Sequence, residues 1–211
     1  MTLKHDQVRE TVLAKAEQLV ETQGLEALKA RPLAAAAGIS VGTFYNLFGS
    51  IDDLMKQVNH NVMDEYLVFV TQQTTARFEA LRLEERDEDY IIKHLMVLAE
   101  VYLDFIEMRE KKWAAVLAFN AKRDPNEPDD RFRAQQASLL NFIALMLKDT
   151  KLGNDPKMLE KAARTLWSST HGVIVLNYLG LKGDLARQNC LQLIELFVTY
   201  FVKGLFVESK A

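Results

Sequence analysis

The 211-residue chain has one cysteine, Cys190. A lone cysteine forms no internal disulfide, which excludes a disulfide-stapled scaffold and fits a reducing cytosol. Its neighbours are apolar with no cation nearby, so a buried filler is expected rather than a redox sensor. Four prolines and nine glycines are too few for a low-complexity linker. No stretch reaches the roughly 18 uninterrupted apolar residues of a membrane span. No apolar run follows Met1, so no signal peptide is expected. Charge of one sign is also scarce: 26 Lys and Arg oppose 29 Asp and Glu, a net −3. Any nucleic-acid contact must therefore be a local patch. His5, His60, His94 and His171 show no metal-ligand spacing with cysteine or carboxylates, so no metal is expected. The chain has neither a phosphate-binding glycine loop nor a nucleophile elbow, so no catalytic residues and no cofactor are expected.

What is present is helical periodicity. The chain is organised around residues 27–48, read as two short helices joined by a tight turn. Pro32 suits an early helical position, where its missing N–H removes nothing. Gly38 is the natural stop, because a positive φ costs glycine little. Ser40 is a good N-cap for a second helix over 41–48. The four alanines 34–37 would let the first helix approach its neighbour closely. Phe44 and Phe48 are four apart and share an inward face. Thr43, Tyr45 and Asn46 fall on the other side, in reach of base edges or phosphates. Gly42 keeps the start of the second helix thin enough for phosphate to approach. On geometry alone, a DNA-binding helix-turn-helix and an ordinary apolar hairpin are equally good readings.

The run from Ala36 to Leu54 breaks that tie. Its Ala37-Gly38-Ile39-Ser40, Gly42-Thr43-Phe44-Tyr45, Phe48 and Ser50 resemble the DNA-binding signature of the TetR family of bacterial transcriptional regulators. The resemblance implies an all-α homodimer, a second helix that reads operator DNA, and repression released by a small molecule. It also places Thr43 and Tyr45 where family members contact phosphates or bases. Val41 and Ile51 stand where the family usually has lysine, and Asn46 and Leu47 where Arg and His are frequent. The recognition helix carries no charged side chain. The expected cations are Lys29 and Arg31, at the start of the first motif helix, and Lys56 in the next helix. Val41 and Leu47 would offer apolar contacts, for example to a thymine methyl. Weak non-specific affinity and a shallow salt slope are expected.

Elsewhere, helices are expected over 4–23, 51–78, 89–109, 111–123, 130–149, 156–181 and 184–206. The first carries the stripe Val8, Val12, Ala16, Leu19 and Val20. Residues 1–5 suggest a flexible arm or, more commonly for such a stub, a disordered tail, and the charged stretch 77–89 a solvated loop with helix ends. Ser50 and Asp53 resemble a capping box. Asp155 and Pro156 form a capped helix start, and Gly180 and Gly183 bracket that helix's end. The last helix is apolar nearly all round, so it should pack inward on one side and against a second subunit on the other.

Met96, Tyr102, Phe105, Trp113, Phe119, Phe142 and Met146 could line an apolar cavity between helices, although stripes of this kind usually form core. Trp167, His171 and Gly172 resemble a Trp-His-Gly signature of one branch of TetR ligand domains. Trp167 and His171 share a face. Either His171 donates into a ligand pocket or it is a satisfied core histidine, and the second is the commoner case.

The expectation is an all-α chain of about nine helices. Residues 1–50 would form a three-helix DNA-binding domain, and residues 51–211 a ligand-binding and dimerisation domain. The function expected is a cytoplasmic repressor of palindromic operator DNA, a homodimer through its last two helices, released by an apolar or amphipathic effector. The rivals are a TetR-like protein that acts through a protein partner without operator binding, and an all-α enzyme or carrier.

Overall fold

The structure is a computed structural model that describes residues 2–81, 87–124, 126–178 and 184–206. Among the described residues all regular structure is helical. The order is α1 (Thr2–Gln23), a 3-10 turn (Leu25–Ala27), α2 (Ala30–Ala36), α3 (Val41–Phe48), α4 (Ile51–Leu81), α5 (Glu88–Met108), α6 (Glu110–Lys122), α7 (Asp130–Leu147), α8 (Pro156–Asn177) and α9 (Asp184–Phe206). The expected arm is absent from Thr2 onward, because helix begins there; Met1 lies outside the described residues. Arg82, Glu84, Glu85, Arg86, Gly180 and Gly183 also lie outside them. Arg77 lies in α4, within the helix expected over 51–78, and its Nη2 donates to Asp104 Oδ2 at 2.5 Å.

Compactness divides the chain differently from sequence order. One unit holds Met1–Tyr66 and Phe105–Phe132; the other holds Leu67–Asp104 and Arg133–Ala211.

In the first unit, Val12, Ala16 and Val20 of α1 are fully buried, at the helical spacing of the sequence stripe. Leu28, Leu33, Phe44, Leu47 and Phe48 complete that core. Gly24 takes φ +84° after α1. Of the four alanines, only Ala34 is buried, while Ala35 and Ala36 face solvent. The buried contacts of α2 are thus made by Leu33 and Ala34, with Ala30 and Ala37 half-buried. The helix ends in a Schellman motif: Ile39 N–H donates to Ala34 O at 3.0 Å and Gly38 N–H to Ala35 O at 3.1 Å, with Gly38 at φ +66°. A Cβ at Gly38 would meet nothing within 4 Å, so backbone conformation, not space, calls for glycine there. The α4 start is capped as expected, with one difference. Ser50 Oγ accepts from Asp53 N–H at 3.0 Å and donates to Asp53 Oδ2 at 2.6 Å. Asp, one methylene shorter than Glu, pairs with the serine hydroxyl in place of the Ser50 backbone N–H. Deeper in this unit Tyr66 packs against Phe105 and Trp113, each at 5.1 Å between ring centres.

In the second unit α8 and α9 pack on one another. Asp155 caps α8, accepting from the Lys157 and Met158 N–H groups. Cys190, Ile194, Val198 and Val202 form the buried stripe of α9, and burial raises the Cys190 thiol above its usual pKa. Leu176 of α8, at 79% exposure, and Leu185, Leu193, Leu196 and Tyr200 of α9 are left uncovered. The Leu185–Phe206 segment is long and apolar enough, by length and composition, to cross a membrane. The Asp104 carboxylate ties the unit's helices, taking Arg77 of α4 on one oxygen and Arg187 of α9 on the other at 2.6 Å.

Candidate functional site

The turn between α2 and α3 fixes the start of the recognition helix. Ser40 is its N-cap, in extended conformation, and Thr43 N–H donates to Ser40 Oγ at 3.0 Å. The Thr43 hydroxyl lies 2.9 Å from the same oxygen. These bonds hold both side chains at the helix mouth, where the free N–H groups and the helix dipole favour an anion. Gly42, Thr43, Tyr45 and Asn46 are exposed together, with Tyr45 at 48%. Tyr45 rests edge-on against the buried Phe44 ring, 5.5 Å between centres. Phe44 also packs on Phe48 at 5.3 Å, and the Arg9 guanidinium of α1 sits 5.5 Å over the Phe48 ring. A Cβ built on Gly42 would come no closer than 3.7 Å to Ser40 Oγ. The chain itself therefore leaves room for a side chain at this position.

Three residues depart from the sequence expectation. Leu47 is only 8% exposed and belongs to the three-helix core, because its helical phase follows Phe44 rather than Tyr45. Val41 is half-buried. Lys56 is half-buried too, and its ammonium pairs with Glu127 at 2.8 Å. Lys29 and Arg31 remain exposed at the start of α2.

The same unit holds a polar cluster that helical periodicity alone does not reveal. His60 of α4 lies 2.9 Å from Asp129, in the segment leading into α7, and both are buried. Arg123 reaches the same carboxylate at 3.2 Å and covers the Phe132 ring at 4.7 Å. Burial alone would raise the Asp129 carboxyl. The Phe132 N–H, the His60 ring and the Arg123 charge outweigh it and hold the group below its usual pKa. One turn further along α4, Glu65 accepts from Arg109 at 2.5 Å and Lys112 at 3.1 Å. Glu21 of α1 lies 3.5 Å from Arg109. The signal for both groups is the placement of charges at otherwise apolar helix phases, but Asp129 lies 69 residues from His60 and Arg109 lies 44 residues from Glu65.

The expected ligand-lining residues do not converge on one cavity. Phe105 and Trp113 stack edge-to-face at 5.7 Å inside the first unit. Phe119 lines a cleft of the same unit, about 530 Å³, beside Lys29 and Lys56. In the second unit Phe142 and Met146 line a cleft of about 190 Å³, and Met96 is half-buried on α5. Tyr102, Trp167 and His171 form a separate cluster. The Tyr102 hydroxyl lies 2.6 Å from His171 Nδ1, and the His171 ring stacks on Trp167 at 5.6 Å. Burial lowers the His171 pKa, so the neutral ring is favoured. A further cleft of about 720 Å³ separates α7 from the start of α8, with Arg133 and Arg164 on its walls.

Comparison with known proteins bears on both ends of the chain. Residues 12–58 match the family model of bacterial regulatory proteins of the tetR family. Residues 95–194 match the tetracyclin repressor-like C-terminal domain. An uncharacterized HTH-type transcriptional regulator of Mycobacterium tuberculosis is 22% identical over 177 residues, 84% of this chain and 73% of that protein. Among solved structures, a protein from Rhodococcus sp. RHA1 superposes with TM-score 0.64 at 18% identity, covering 94% of this chain and 95% of the other. The multidrug binding protein EbrR, complexed with imidazole, gives 0.60 at 18% identity over 96% and 97%. The TetR family transcriptional regulator PfmR from Thermus thermophilus gives 0.54 at 15% over 93% and 99%. With the helix-turn-helix formed as described and both family models matched in order, the chain belongs to the TetR family: it is a transcriptional regulator and not an enzyme.

Proposed function

We propose that the protein is a cytoplasmic, homodimeric repressor that binds a palindromic operator and leaves it when a small apolar or amphipathic effector binds. Residues 1–50 would hold the DNA-reading surface, and residues 51–211 the effector-sensing and dimerising part. The observation that carries the reading is the exposed face of α3. Gly42, Thr43, Tyr45 and Asn46 stand together on it, while Phe44, Leu47 and Phe48 fill the core behind. Lys29 and Arg31 supply nearby charge, and Ser40 orients the helix mouth. Apolar exposure on α8 and α9 supports the dimer, because contiguous uncovered leucines favour a second subunit over water. Two heads on a two-fold axis would set recognition helices about one DNA turn or a multiple apart. An effector with higher affinity for the form that does not bind DNA would shift the population and release the operator.

A second reading, regulation through a protein partner without operator binding, is favoured by one observation: α3 has no charged side chain. Selection of bound sequences from random duplex DNA at low salt separates the two. Recovery of one palindrome, weakened by Thr43→Ala or Tyr45→Ala, supports the repressor. No enrichment by a folded dimer rejects it in favour of the protein partner.

A further inference from the structure

The end of α4, the start of α5 and the end of α7 line the open cleft of about 190 Å³. Its walls hold four ring systems, Phe78, Tyr90, His94 and Phe142, together with Met146 and Asp149. The rings are fixed against one another. His94 stacks on Tyr90 at 3.9 Å and packs against Phe78 at 4.4 Å. His94 Nδ1 lies 2.7 Å from the Tyr90 carbonyl oxygen, which makes it the N–H donor. Phe78 and Phe142 lie nearly parallel, 14° apart, with centres separated by 6.3 Å.

The charged side chain lining this cleft is of one sign. Asp149 is its charged lining residue, and neither Lys nor Arg lines it. The two larger clefts differ: Arg133 and Arg164 line one, and Lys29, Lys56, Lys122 and Arg123 the other. Phe78 lies in the last turn of α4 and Met146 in the last turn of α7. The C-termini of α4 and α7, each equivalent to about half a negative charge, end beside it, against the N-terminus of α5 with about half a positive charge and two acids, Glu88 and Asp89, in its first turn. The described residues that flank it in sequence include Glu79, Asp87, Glu88 and Asp89. Lys93 on α5 and Lys148, in the turn after α7, are exposed and do not line the cleft. Aromatic faces attract cations, best where water is excluded. The volume is below the roughly 300–1,000 Å³ of drug-sized sites, so the occupant is small.

We propose that the cleft formed by Phe78, Tyr90, His94, Phe142, Met146 and Asp149 binds a small organic cation, an ammonium group carried on one apolar or aromatic body. The proposal deepens the effector-sensing reading, and rests on it only for the consequence at DNA. Binding itself is independent of the operator.

The test is titration calorimetry of the full-length protein, without DNA, using benzyltrimethylammonium. Its neutral carbon isostere neopentylbenzene and the anion benzenesulfonate serve as comparisons. The cation is expected to bind, the isostere about tenfold more weakly, and the anion not at all. Phe142→Leu and Asp149→Asn should each weaken the cation by about tenfold while circular dichroism shows the fold intact. The Met146 methyl resonance should shift on binding. A folded protein that takes up no cation overturns the proposal. So does equal affinity for the isostere, or binding that leaves Met146 and both variants unmoved. Addition of the same cation to the protein–operator complex then tests the effector reading separately. Binding at Met146 without operator release keeps the site and rejects its role as the switch. Absence of binding removes the site and leaves operator recognition standing.

Discussion

The Tyr102 hydroxyl and His171 Nδ1 are 2.6 Å apart, on helices α5 and α8, with Trp167 stacked on the same imidazole. Burial depresses the His171 pKa, so the folded chain binds this proton less readily than the unfolded chain. The associated stability is fully present above the unfolded value of about 6.5 and is lost as pH falls below it. Urea unfolding between pH 7.5 and 5 should show that decline, and His171→Gln should flatten it. Tyr102→Phe should cost about 1 kcal/mol at neutral pH, the usual size for one lost hydrogen bond.

Gly42 separates folding from function. Nothing in the chain obstructs a methyl group there, and alanine is favoured over glycine within a helix by about 0.5–1 kcal/mol. Gly42→Ala is expected to keep or raise the melting temperature. Operator affinity should fall, because the added Cβ stands on the face proposed to meet phosphate. Thermal unfolding and a fluorescence-anisotropy titration with operator DNA check the two halves. Undiminished affinity would remove Gly42 from the interface.

Asn46 is the one exposed amide on the recognition helix. An asparagine side chain matches the N6 and N7 edge of adenine, with discrimination of about 1–3 kcal/mol for a good bidentate pair. Asn46→Ala should relax the base preference at one position of each half-site and leave the others unchanged. Sequence selection with the variant shows whether one column of the binding motif loses its information. The native complex should also have a shallow salt dependence, since few side-chain cations are available to release counterions.

Leu196 and Tyr200 are exposed on α9, and Leu176 on α8. A charge placed among them, as in Leu196→Glu, would be desolvated in the proposed dimer and left in water in a monomer. Sedimentation velocity should show dimer for the native chain and monomer for the variant, with little change in helical content. A native monomer would require another cover for this face.

Asp129 governs the acid limb. Its carboxyl is held below the usual value, so its contribution is fully present above about pH 3.9 and disappears as pH falls through the lower folded value. Asp129→Asn should reduce stability at neutral pH and make the remaining stability less dependent on pH in the acid range. Chemical denaturation of both proteins from pH 7 to 3 gives the comparison.

Much of the fold was legible because its determinants are local. The stripe Val12, Ala16 and Val20, the positive φ at Gly38, the Ser40 cap and the paired faces of Phe44 and Phe48 follow from spacing within one or two turns. The Ser50–Asp53 cap of α4 is local too and forms as expected, with Asp53 meeting the Ser50 hydroxyl instead of its backbone N–H. The family position of Leu47 points to DNA, whereas its helical phase sets it with Phe44 in the core. Lys56 was expected to be available to phosphate because Glu127, its partner, lies 71 residues away.

The sequence by itself determined the helical class, the helix-turn-helix and the apolar excess of the final helix. Each depends on residues within a few turns, where φ/ψ preference and hydrophobic period act directly. Tertiary structure decided which side chains meet. It divided the expected lining residues among separate clusters, buried Leu47, joined His60 to Asp129 and Tyr102 to His171, and assembled one aromatic cleft from three helices. Those contacts depend on the rotation and offset of packed helices, which the pattern of one helix does not specify.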